Sequence, residues 1–384
     1  MFFLKSSCGF YVHIAFCLSK CPYCAFSSVE VDSYLVGKYV DALLEEISRM
    51  SEGPRSQGLV FDTLYIGGGT PTILSTSSME RIISRIFERF AWAPGPEITC
   101  EANPGAIGAP KLAAMLSMGI NRLSLGVQSF HDRELKTLGR IHSSDDARRT
   151  FDMARILGFK NVGIDLMFGI PGQTLDSWTG DLETAVDLSP EHISTYSLSI
   201  EPGTPFWEMA AAGQIRLPDE ETVSSMYEEA IGILTDNGYV HYEISNFAKP
   251  GFKSRHNLHY WNRDWYIGVG ASAHSFSHGK RFWNFSDPID YMDSMLGSGC
   301  AMEGEEEISY EEALREEIFL GLRQLKGLDL ERLRERYNFG FDGELGERMH
   351  QLVNNGFLEM ADFTVRLTRK GLLVADSICT ELCI

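Results

Sequence analysis

A strand-like run followed by a helix-like run recurs about six times between residues 10 and 240, which limits the chain to few architectures. Apolar, β-branched runs stand at FYVHIAF, FDTLYIG, EITCEA, RLSLGVQ, NVGIDLMFG and HISTYSLSI. Amphipathic stretches lie between them, among them YLVGKYVDALLEEISRM, SMERIISRIFERF, DDARRTFDMARIL and DSWTGDLETAVDL. Strands of one direction joined by helical crossovers form a parallel sheet that closes partly on itself. The pattern predicts an α/β fold, a partial (β/α)6 barrel, over residues 1–245.

The unusual residues recur just after each strand. Cys17 follows the first and GGGTP (67–71) the second. Glu101-Ala102-Asn103-Pro104 follows the third and Gln128 the fourth, while Asp165 lies near the end of the fifth. In a barrel these positions meet at one mouth. Beyond residue 240 the rhythm changes. HNLHYWNRDWYIGVGASAHS (256–275), dense in aromatics, His and Gly, reads as an irregular covering or binding segment within 246–304. From 305 to 384, helices followed by a short hairpin pattern predict a small winged-helix-like domain.

Charge and hydropathy narrow the function classes. The 384 residues carry a formal net charge of -19, which argues against nonspecific phosphate-backbone binding, and no nucleic-acid partner is expected. The acidic cluster Glu303, Glu305, Glu306, Glu307, Glu311 and Glu312 weakens the DNA reading of the winged-helix-like domain. No apolar run approaches the ~20 residues of a membrane span, and the start MFFLKSSCGF lacks the features of a secretion signal. The expected compartment is the cytoplasm, with membrane contact only through a partner.

Eight cysteines are too few for a disulfide scaffold in a chain of this length. Cys8, Cys100 and Cys300 read as small packed side chains, and Cys379 and Cys383 as incidental thiols near a terminus. Cys17, Cys21 and Cys24 are different, because HIAFCLSKCPYCAF (13–26) sets them in the pattern C-x3-C-x2-C. Three thiolates hold a structural zinc only with a fourth ligand, for which His13 is the nearby candidate. A [4Fe-4S] cluster usually takes four cysteines, so three on one tight loop leave an iron open for chemistry. The glycines of GGGTP lack the spacing of a P-loop or a dinucleotide fingerprint and offer backbone that a ligand can approach closely.

The cysteine pattern after a first barrel strand resembles the signature of the radical S-adenosylmethionine (SAM) superfamily, in which SAM occupies the open iron. YVHIAFCLSKCPYCAF, GGGTPT, EANP, GVQSF, LGRIH, DLMFGIPGQT and GVGASAHS together resemble the group of oxygen-independent coproporphyrinogen III dehydrogenases (HemN) and HemW-type haem chaperones. By that resemblance Cys17, Cys21 and Cys24 hold the cluster. Tyr11, Tyr23, Gly68, Gly69, Thr70, Glu101, Gln128, Arg140 and Asp165 carry over as SAM contacts.

Three features favour the chaperone branch. The dehydrogenases have a fourth cysteine where Phe26 stands, and an N-terminal extension where only sixteen residues precede Cys17 here. HNLHYW (256–261) also matches the H-N-x-x-Y-W motif associated with haem, which implies haem contacts at His256, Asn257, Tyr260 and Trp261. Ala15 and Ala25 depart from the Pro and Asp usual in relatives. The resemblance implies a haem chaperone with an iron-sulfur cluster, SAM and haem as cofactors. Its expected partners are a haem-accepting protein and an electron donor for the cluster. Oxygen-independent coproporphyrinogen III dehydrogenation is the alternative activity.

Overall fold

The computed structural model of the chain describes residues 7–338 and 343–383. Six neighbouring parallel strands form its centre: β1 (Ser7–Ile14), β2 (Val60–Gly68), β3 (Ala91–Ala102), β4 (Arg122–Gln128), β5 (Val162–Phe168) and β6 (His192–Ser197). All six runs anticipated from hydrophobic patterning are strands. The intervening helices start where the sequence offers caps. Asp32 accepts from the backbone N–H groups of Tyr34 and Leu35 to open helix Ser33–Glu52, and Ser143 and Asp146 form a reciprocal capping box on helix Ser144–Leu157.

Alternation along the strands separates two environments. One face carries Leu64, Ile66, Ile98, Cys100, Leu123, Leu125, Ile164, Leu166 and Ile193, all buried in the core. The other carries Tyr65, Glu101, Ser124, Asp165 and Ser194, which line an internal cavity. Burying apolar area on the first face contributes about 25 cal/mol per Å² and holds the barrel wall. The polar face is therefore free to serve a ligand.

Residues 256–275 are not irregular: helix Arg255–Trp261 and strand Tyr266–Val269 lie within or across them, and strand His274–Ser277 begins there. The sheet continues past β1 through Tyr266–Val269, His274–Ser277, Lys280–Asn284 and Met302–Glu307, and past β6 through Asn246–Ala248 and Val240–Glu243, twelve strands in all among the described residues. HNLHYW itself lies in helix Arg255–Trp261. Its aromatics and histidines are packed interior partners, so their density hid the underlying period. The edge strand Met302–Glu307 is coated with glutamates, and Arg55–Glu305 (2.8 Å) and Arg281–Glu306 (2.9 Å) pair part of the acidic cluster. Charge on a sheet edge also discourages edge-to-edge pairing.

The C-terminal unit matches its expectation of helices with a hairpin. Helices Tyr310–Leu322, Leu330–Tyr337 and Glu344–Asn354 accompany a three-stranded sheet in which Thr364–Leu367 lies between Leu328–Asp329 and Leu358–Ala361. Cys8, Cys100 and Cys379 are buried, whereas Cys300 is exposed and not the packed side chain expected; Cys383's side chain lies outside the described residues.

Candidate functional site

The loop after β1 brings Cys17, Cys21 and Cys24 to the mouth of a cavity of about 540 Å³ that runs down the barrel. A tight turn from the Cys24 N–H to the Cys21 carbonyl (3.1 Å) shapes the loop, and Val29 N–H on Ala15 O (3.0 Å) closes its base. The GGGTP segment docks directly on this loop. Gly69 N–H donates to Ile14 O and Thr70 N–H to Phe16 O, each at 2.7 Å. A Cβ on Gly69 would stand 2.4 Å from Phe16 O, and Gly68 adopts φ +106° beside the His13 ring. These two glycines are thus required by the approach of the chain to its own cysteine loop.

Around the thiols the polar side chains form one network. Thr70 Oγ1 points a hydroxyl at Cys17 Sγ (3.7 Å) and Arg140 Nη1 an N–H at Cys21 Sγ (3.6 Å). Asn103 ties these two together, donating to Thr70 Oγ1 (2.9 Å) and accepting from Arg140 Nη2 (2.5 Å). Arg140 leaves Nε buried without a partner. Deeper, Glu101 accepts from Tyr65 Oη (2.7 Å) and Gly68 N–H (3.2 Å), and Ser124 donates to Asp165 (2.9 Å). Burial pushes the Glu101 carboxyl up to about 7, opposed by the Tyr65 hydrogen bond, and burial also raises Asp165. Gln128 holds a left-handed φ of +71°, an uncommon conformation for a side-chain-bearing residue at the strand end.

Of the residues carried over as SAM contacts, Tyr23, Gly68, Gly69, Thr70, Glu101, Gln128, Arg140 and Asp165 line this cavity together with the three cysteines. Tyr11 does not; its hydroxyl is hydrogen bonded to His13 Nδ1 (3.0 Å). His13 Nε2 in turn reaches Ser27 O (2.9 Å) on the far end of the cysteine loop, so His13 braces the loop and is not placed as a fourth zinc ligand.

The haem motif divides. Asn257 lines the cavity from below, whereas His256, Tyr260 and Trp261 do not. His256 is 1% exposed, with Nδ1 on Thr63 Oγ1 (2.8 Å), Nε2 on Tyr260 Oη (2.9 Å) and its ring stacked on Tyr65. Trp261 lies under the Arg323 guanidinium, and its carbonyl accepts from Gln324. Helix Arg255–Trp261 thus closes the barrel at the end opposite the cysteines and joins it to the C-terminal unit. Strand alternation alone would have added Tyr65, Arg122, Ser194 and Tyr196 to the cavity list, since each shares the inward register of an assigned residue.

The chain matches the Radical SAM superfamily over residues 11–185 and the HemN C-terminal domain over 308–374. The haem chaperone HemW of Bacillus subtilis is 37% identical over 96% of this chain and 97% of its own length, and that of Lactococcus lactis 34% identical over 96% and 95%. The chain belongs to the HemW family. Coproporphyrinogen III oxidase (HemN) from Escherichia coli shares the fold, with a TM-score of 0.86 at 24% identity across 98% of this chain and 90% of that one.

The residues present suit what a radical SAM member of the HemW family requires. Among the described residues no three His, Cys, Asp or Glu side chains gather around a single metal ion, whereas one thiol per iron is the donor set for a four-iron cluster with an open iron. Arg140, with an orphaned N–H, suits a ligand carboxylate, and Glu101 suits ribose hydroxyls. Among the described residues no helix is long and apolar enough to cross a membrane.

The shifted Glu101 carboxyl has a measurable consequence. An acid raised in the folded state contributes stability below its unfolded pKa and loses it as pH rises through the folded value. Ligand-free protein should therefore lose stability between pH 5 and about 7; on the expectation that Glu101 accepts from SAM, affinity for SAM should rise over pH 6–8 as the carboxylate forms. Calorimetric SAM titrations across that range check this. A pH profile unchanged in Glu101→Gln would remove Glu101 from the binding.

Proposed function

We propose that the protein is a haem chaperone that binds haem and passes it to a haem-requiring protein. In this reading Cys17, Cys21 and Cys24 hold a [4Fe-4S] cluster and the cavity residues hold SAM at its open iron. Near-complete correspondence with proteins named as haem chaperones carries the reading. Phe26, 67% exposed at the cavity mouth, adds to it, because it stands where the dehydrogenase branch has a fourth cysteine. Bound together, the cluster and SAM supply one-electron chemistry. This chain's residues bind and orient: Arg140 and Asn103 fix the loop beside Cys21, Glu101 and Asp165 offer acceptors below, and Thr70 faces Cys17. The proposal includes a cytoplasmic location and an external electron donor for the cluster.

The likeness to HemN at 24% identity bears on fold, so dehydrogenation of coproporphyrinogen III stands as the competing outcome. Anaerobically reconstituted protein should give a saturable Soret-band change with haem and transfer that haem to an apo-acceptor. With SAM, reductant and coproporphyrinogen III, mass spectrometry should find no protoporphyrinogen IX. Catalytic formation of that product would reverse the assignment.

A further inference from the structure

The inner part of the cavity contains a cation that makes no direct ion pair, although the Asp165 carboxyl lies close enough to feel its charge. Arg122, at the start of β4, is 2% exposed and lines the cavity. One guanidinium N–H reaches Phe252 O (3.2 Å), Nε has no partner, and among the described residues no carboxylate oxygen lies within ion-pair distance. Asp165, the nearby acid, is engaged by Ser124 and Ser194. Buried charges are normally paired, so an unpaired guanidinium facing a cavity marks a place for an anion.

A second group points to the same ligand. His192, on β6, is 1% exposed and also lines the cavity. Its Nε2 meets Tyr242 Oη at 2.8 Å, and that oxygen already accepts from Ser254 N–H (3.3 Å). Among the described residues His192 Nε2 is the one acceptor within reach of the Tyr242 hydroxyl hydrogen, so the tyrosine donates to Nε2 and the His192 hydrogen lies on Nδ1. Burial and the Arg122 charge keep the ring neutral. Nδ1 has no partner in the structure. β5 presents Gly163 opposite His192, where a Cβ would come into ordinary contact with His192 Cβ and Leu123 O at 3.5 Å and with His192 Nδ1 at 3.6 Å.

We propose that Arg122 and the His192 Nδ1–H form a second anion subsite at the barrel base, for a small carboxylate. A guanidinium and a neutral N–H match a carboxylate's two oxygens. The ligand is no larger than an amino acid, because helix Arg255–Trp261 closes the barrel below and the SAM residues lie above. The shared chemistry fits a simple organic acid or a free amino acid.

The test is thermal unfolding of the reconstituted full chain with SAM at saturation and no reductant, so that the Arg140 region is filled; this blocking step and the size limit rest on the SAM reading. Acetate, L-methionine and inorganic phosphate are added in turn. Acetate or L-methionine should raise Tm by a few degrees at millimolar concentration, and the more effective of the two separates organic acid from amino acid. The rise should vanish in Arg122→Gln and in Gly163→Ala. The alanine Cβ would meet His192 Nδ1 at 3.6 Å, an ordinary contact that the fold tolerates and that sets a methyl against the N–H meant for the ligand. Without ligand, Arg122→Gln should melt no lower than the parent, since it removes a buried charge that makes no direct ion pair. The proposal fails if neither carboxylate shifts Tm, if phosphate alone does, if the shifts persist in both variants, or if Arg122→Gln alone collapses the fold. SAM affinity is read on the same preparations. Its absence in the parent would overturn the SAM reading separately, and the series repeated without SAM would still decide the subsite.

Discussion

Anaerobically reconstituted Cys21→Ala protein should contain essentially no four-iron cluster by iron and sulfide analysis, and no cluster signal by electron paramagnetic resonance after reduction. Cys17→Ala and Cys24→Ala should behave alike. The cavity mouth presents three thiols, and no other described cysteine can replace a lost one. Cys8 and Cys100 lie in the apolar core, where burial raises both thiols, Cys8 to about 12. Cys300 is exposed beside Gly299 on a separate small cavity, and Cys379 is buried in the last helix. Cys379→Ser should accordingly keep a full cluster. Arg140 Nη1 and Thr70 Oγ1 point an N–H and an O–H at Cys21 Sγ and Cys17 Sγ without replacing either sulfur. Arg140→Ala should retain cluster iron while weakening SAM. A normal cluster signal in Cys21→Ala would sink the metal assignment.

The cysteine loop and the barrel strands were legible because both are local. C-x3-C-x2-C is a spacing, and a strand buried on one face and polar on the other shows its period directly. What the spacing could not convey was direction through space. Tyr11 carries over by motif, yet its hydroxyl turns to His13. The glycines of GGGTP read as backbone open to a ligand; Gly69 is instead pressed against Phe16 O, a contact between segments more than fifty residues apart. Arg122 resembles any strand-leading arginine until β5 and β6 are placed beside it and no acid forms a direct ion pair with it. Residues 256–275 misled for the same reason, since histidines and tyrosines that satisfy one another inside a barrel look, one by one, like surface binding groups.

That last case yields the second large effect. His256→Ala should lower stability by on the order of 3 kcal/mol, because it leaves the buried Thr63 and Tyr260 hydroxyls short of a partner and opens a void against Tyr65. Burial first, and the nearby His259 charge second, hold His256 down at about 3, so at neutral pH its ring is a neutral bridge with one N–H to donate and one lone pair to accept. His259 is its opposite: although burial opposes it, hydrogen bonds it donates to Asp264 and Asp62 raise it to about 9, and the cation clamps the helix to β2. Iron ligation by His256 would require either the Thr63 or the Tyr260 bond to be surrendered. The expected result is a lower unfolding midpoint in His256→Ala with the Soret maximum of haem-loaded protein unchanged below that midpoint. A shifted Soret band with unaltered stability would instead put the imidazole on the iron, and would mean that helix Arg255–Trp261 opens to admit haem.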